Sequence, residues 1–134
     1  PTLDEVAATC PGLPAPRLHR NPDREGVTGM ATWLWADGHA ALRSTSAIRG
    51  YPVSCTAVPE RWTWYSGDGA SYSRSGPGAP PPDHAAEHTY RRKGAYTQRL
   101  VVRWRLETSH GTRAASRQTR RGYQVAEIRG ALVE

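Results

Sequence analysis

Between Tyr96 and Leu106 the chain alternates with period two. Tyr96, Leu100, Val102, Trp104 and Leu106 fall on one side, and Thr97, Arg99, Val101, Arg103 and Arg105 on the other. Only an extended strand separates residues in this way. Arg61-Trp62-Thr63-Trp64-Tyr65 repeats the pattern and stops at Gly67-Asp68-Gly69, a tight turn, so Trp62 and Trp64 should share an inward face. Ala31 to Trp35 is a further short β-favouring run, closed by Asp37-Gly38. Residues 52–59 form a β-branched stretch bracketed by Pro52 and Pro59, which should stand at its ends, because proline cannot donate to a ladder.

The remaining segments carry weaker signals. Residues 40–48 fit a short strand or an irregular crossover. Ser109-His110-Gly111 should turn the chain, after which 112–119 return antiparallel. Arg120-Arg121-Gly122 then precedes a last strand over Tyr123–Ile128. Residues 74–86 hold Gly76, Pro77, Gly78 and Pro80 to Pro82 and read as an exposed loop. Pro1, Pro11, Pro14, Pro16 and Pro22 mark residues 1–30 as an extended Pro-rich N-terminal arm, neither helix nor central strand. No segment calls for a helix. Short strands between Gly/Pro turns at about 8–12-residue spacing predict an all-β fold, a β-sandwich over residues 31–134 preceded by the 1–30 arm.

At 134 residues the chain has room for one core. Phe is absent, so five Trp and six Tyr must supply its aromatic volume. No apolar run approaches the roughly 18 residues of a membrane-spanning helix. The chain starts at Pro1, so any initiator Met, signal peptide or upstream domain is expected to have been removed or to lie outside it. Of 18 basic residues only Lys93 is lysine, which points to a GC-rich genome. The net charge of +6 therefore permits anionic partners without arguing for specific nucleic acid, and a nucleic-acid-binding β-domain is an alternative resting on charge alone. Cys10 and Cys55 either form one bridge, in an oxidising compartment, or are two unrelated buried thiols.

Candidate chemistry is sparse. Asp68 has the place of a turn acceptor that caps backbone amides; a catalytic carboxylate is the weaker reading. His84 and His88 are spaced i, i+4 but flank the Pro-rich loop, so no metal is assigned, and Asp37, Asp68 and Asp83 lack the alternating oxygens of a calcium loop. Nucleophile and phosphate motifs are missing, so no catalytic residue and no cofactor are expected. Arg99, Arg103 and Arg105 form an outward row able to grip carboxylates or phosphates, unless Glu87, Glu107 or Glu127 neutralise it across strands. Trp33 and Trp35 also share a face; exposed, they would stack on sugar rings, but their size predicts burial.

Two stretches together resemble a known family. Trp64-Tyr65-Ser66-Gly67-Asp68-Gly69 resembles the first signature of the polycystic kidney disease (PKD) domain. His88-Thr89-Tyr90 and Gly94-Ala95-Tyr96-Thr97 resemble the second, in the same order. The stretch from Gly29 to Trp35 and the Val-Ala-Glu-Ile stretch ending at Ile128 look like PKD-like exported proteins of high-GC bacteria. The resemblance implies an immunoglobulin-like sandwich of about seven strands in an extracellular setting, with no chemistry of its own. It further implies contacts with a protein partner or a cell-envelope glycan, or a spacer role, and makes Trp64, Gly67, Asp68, Gly69, His88, Tyr90, Gly94 and Tyr96 structural motif residues. Ser66 and Gln98 depart from the family's apolar pattern, so the core should be repacked around them. A Cys10–Cys55 bridge would tie the arm to a core strand.

Overall fold

The computed structural model describes residues 1–128; residues 129–134, the end of the expected 31–134 domain, lie outside them. The strands are β1 (Leu18–Asn21), β2 (Glu25–Val27), β3 (Ala31–Ala36), β4 (Leu42–Ile48), β5 (Tyr51–Tyr65), β6 (Ser71–Arg74), β7 (Ala86–Thr89), β8 (Gly94–Thr108) and β9 (Gly111–Ala126). They build a three-stranded sheet of order β1-β3-β7 and a six-stranded sheet of order β2-β9-β8-β5-β4, with β6 also paired to β5. This is the all-β sandwich expected, with more and longer strands.

The core lies between the sheets. Trp62, Trp64 and Trp104 enter it from β5 and β8, and the opposite wall is built of small or aliphatic residues, Leu18, Leu34, Ala36 and Ala86. Each indole removes roughly 150–250 Å² from water, on the order of 4–6 kcal/mol before entropy is counted. Three indoles from one sheet leave no room for large rings from the other. β3 therefore turns Thr32, Leu34 and Ala36 inward and leaves Trp33 and Trp35 half-exposed, against the burial expected for that pair.

Other expectations also change. Residues 3–7 form a helix, α1 (Leu3–Ala7), where none was expected. Its capping box is local chemistry: the Thr2 hydroxyl accepts from the Glu5 amide at 3.2 Å, and the Glu5 carboxylate accepts from the Thr2 amide at 2.8 Å. β5 runs through both prolines, because Pro52 lies beyond the β8 ladder, which reaches only Cys55, and a register shift between Pro59 and Arg61 absorbs the second missing donor. β9 is one strand rather than two, since β8 is long enough to pair it continuously and Gly122 sits in the ladder opposite Thr97.

The N-terminal segment leans on the six-stranded sheet. The Cys10–Cys55 disulfide anchors it to β5, and Cys55 is fully buried. Arg113 pairs with Asp4 at 2.5 Å, Arg49 with Glu5 at 2.6 Å, and Arg117 donates to the Leu13 carbonyl. Residues 18–27 then join the sheets themselves, β1 against β3 and β2 parallel to the end of β9.

Candidate functional site

The turn after β5 is shaped by Gly67 and Gly69, with φ of +95° and +105°. A Cβ on Gly67 would meet the Thr97 carbonyl oxygen at 2.6 Å, so only glycine fits. Asp68, expected to cap backbone amides, takes two side-chain donors besides a backbone amide. The Ser66 hydroxyl donates to its Oδ1, and His88 Nε2 lies 2.8 Å from its Oδ2. With Nε2–H on Asp68, His88 Nδ1 accepts from the Tyr72 hydroxyl at 2.7 Å. Burial works against ionisation of Asp68, but the bonds from Ser66 and His88 outweigh it and hold the carboxyl below its ordinary range.

This cluster continues inward. The Tyr90 hydroxyl donates to the Ser66 carbonyl at 2.6 Å and accepts from Gln98 Nε2 at 3.0 Å. Gln98 Oε1 accepts from Arg20 at 2.9 Å, and the Arg20 guanidinium lies 4.4 Å over the Tyr123 ring. Burial pushes the Tyr90 phenol up to about 12. The two departures from the family pattern are thus links in one polar chain, Ser66 at 0% and Gln98 at 1% exposure, both satisfied. Serine and histidine do not touch, because Asp68 stands between them and both His88 nitrogens are engaged; the chain latches the turn. The polar residues at 66 and 98 were the available signal for it. Its partner Arg20 comes from a segment with no pattern. Trp64 is fully buried beneath the turn and donates its indole N–H to the Trp35 carbonyl at 3.3 Å. Gly94 opens β8, and Tyr96 packs on Tyr90 with ring centroids 4.7 Å apart.

Arg99, Arg103 and Arg105 lie on the solvent face of β8, where the ladder adds Arg61 beside Arg103 and Arg120 beside Arg99. Their neutralising partners differ from those expected. Glu107 does pair with Arg105 at 3.0 Å, but Glu87 pairs with His84 on the other sheet. Glu60, in the irregular stretch of β5, reaches Arg105 at 3.5 Å and Arg103 at 4.0 Å. Arg99 lies 4.0 Å over the Tyr65 ring. Around β8 five arginines thus meet Glu60 and Glu107, and farther out the same face carries Arg43 on β4 and Glu25 on β2, so it stays basic and open.

Among the described residues no group of three or more His, Cys, Asp or Glu side chains gathers as a metal site would, and no helix is long and apolar enough to cross a membrane. The model of one family, described as the PKD domain, matches residues 30–112, more than half of the chain. A search of curated proteins finds no match.

Proposed function

The chain belongs to the PKD-domain family, and on that premise we propose that it is a contact module of an exported bacterial protein, docking an acidic protein surface through the arginine-bearing face of its six-stranded sheet. PKD domains are generally non-catalytic and typically extracellular, and the Cys10–Cys55 bridge fits an oxidising environment.

The observation that carries the reading is the outward set of Arg99, Arg103 and Arg105 with Arg61 and Arg120, which only Glu60 and Glu107 approach among the described residues. Two features favour a protein over a polyanion. Arginine and tyrosine are the side chains enriched at protein interfaces, and Arg99 over Tyr65 supplies both at one spot. Arg105 is held by two carboxylates, so its guanidinium is oriented before any partner arrives. The nucleic-acid alternative has only net charge in its favour and requires binding to random DNA that falls steeply with salt.

The test is capture from a cell-envelope extract of the source organism, with wild type and the Arg99→Gln/Arg103→Gln/Arg105→Gln variant as baits. The exposed ion pairs are worth about 0–1 kcal/mol each, so the variant should fold while losing its captured protein. Equal capture by both baits overturns the reading, and so does capture that nuclease abolishes.

A further inference from the structure

The second face of the sandwich carries a different chemistry. On the outward side of the three-stranded sheet Trp33 and Trp35 stand at successive same-face positions of β3, roughly 6.6 Å apart along the strand. Each indole has an imidazole against it. The His84 ring stacks on Trp33 at 4.5 Å and 26°, and the His19 ring on Trp35 at 5.5 Å and 19°. Each imidazole is in turn fastened to a carboxylate, His84 Nε2 to Glu87 at 3.1 Å and His19 Nε2 to Asp37 at 2.8 Å. The Trp–His–carboxylate unit therefore occurs twice on one surface.

Both units are held in place. His84 keeps φ at +27°, a left-handed conformation that a histidine adopts only when its surroundings impose it. Its Nδ1 rests 3.0 Å from the Pro82 carbonyl oxygen, so neither ring nitrogen is idle. Open clefts border the two indoles. One of about 360 Å³ lies between Trp33, Pro22 and Met30, and Met30 is 57% exposed. The other, about 580 Å³, lies beside Trp35 and His19 and is edged by Asp23 with Arg17, Arg20 and Arg121.

We propose that this face is a binding platform for a neutral polysaccharide, with Trp33 and Trp35 as stacking surfaces for consecutive sugar rings. A pyranose presents an apolar C–H face and a rim of hydroxyls. The rings supply the first complement, with orientation already fixed. Glu87 and Asp37, 53% and 43% exposed at the edges of the rings, supply acceptors for the second. The arginines beside Trp35 are already paired, Arg17 with Asp37 at 3.7 Å and Arg20 and Arg121 with Asp23 at 3.5 and 3.3 Å, so the platform offers an anion fewer open cations than the arginine face, and neither surface needs the other. Arg17, 3.7 Å from Asp37, offsets part of the acidity and disfavours a cationic peptide.

Affinity electrophoresis through gels containing a neutral β-glucan, chitin oligomers, heparin or polylysine tests the assignment. At least one neutral glycan should retard the protein, and heparin and polylysine should not compete with it. Trp33→Ala/Trp35→Ala should weaken retardation about tenfold or more, while the triple arginine variant keeps it. In wild type the same glycan should shield Trp33 and Trp35 from N-bromosuccinimide, read by peptide mass spectrometry, which needs no variant to fold. Absence of retardation by every neutral glycan, full retardation of the folded double variant, or unchanged oxidation of both indoles overturns the proposal. Retardation by heparin alone also overturns it.

Discussion

Tyr90→Phe isolates the polar chain from the apolar core. The ring is fully buried and packs against His88 at 4.5 Å and Tyr96 at 4.7 Å, contacts that phenylalanine keeps. The substitution therefore forfeits almost no apolar burial and removes only the hydroxyl. That oxygen serves two neighbours, donating to the Ser66 carbonyl and accepting from Gln98 Nε2. Both would be left buried without that partner, at about 1–3 kcal/mol for each orphaned group. Allowing some relaxation, the expected loss is about 2–4 kcal/mol, a large share of the roughly 5–15 kcal/mol that holds a domain together. Urea unfolding followed by tryptophan fluorescence should show the midpoint falling on the order of 1–2 M at unchanged slope. Tyr96→Phe is the internal control, because that hydroxyl bonds the Arg92 carbonyl at an exposed position and should cost under about 1 kcal/mol. Equal costs for the two substitutions, or a Tyr90→Phe loss below about 0.5 kcal/mol, would refute the chain as a stabilising element.

Reduction of Cys10–Cys55 should destabilise the protein by about 2–4 kcal/mol, because the bridge closes a separation of 45 residues; free-thiol titration of the native protein should read none, and two would contradict it. The titrations bracket a plateau of stability. Tyr90 is raised from 10.0 to about 12 in the folded state, so its contribution is present below pH 10 and is lost as pH climbs from 10 towards 12. Asp68 is lowered, so its contribution is present above the ordinary carboxylate range and is lost as pH falls through its depressed folded value. Melting temperature against pH should therefore fall at both ends, and Asp68→Asn should flatten the acid limb.

How much could be read in advance depended on how local the cause was. The alternation of Tyr96 to Leu106 and the Gly67-Asp68-Gly69 turn were legible because backbone period and turn chemistry act within a few residues. Periodicity also put Trp33 and Trp35 on one face, but which face turns inward depended on Trp62, Trp64 and Trp104, which fill the core from the other sheet. The Thr2/Glu5 capping box was present in the chain and was masked by the prolines after it. Glu60 became a partner of the arginine row in the irregular stretch that also absorbs Pro59, a feature that residue spacing does not display. Ser66 and Gln98 appeared as departures from a pattern, and only the approach of Tyr90 and Arg20 in space makes them one chain.

The contact role of the arginine face is tested most directly by where a partner touches. A photo-crosslinking amino acid at Ser116, exposed and opposite Arg103 in the ladder, should yield a discrete adduct in the source organism's envelope. The adduct should vanish with Arg99→Gln/Arg103→Gln/Arg105→Gln, and the same probe at Ser75, in the Pro-rich loop, should give none. An adduct of equal strength from both positions, or one indifferent to the three arginines, would contradict the account.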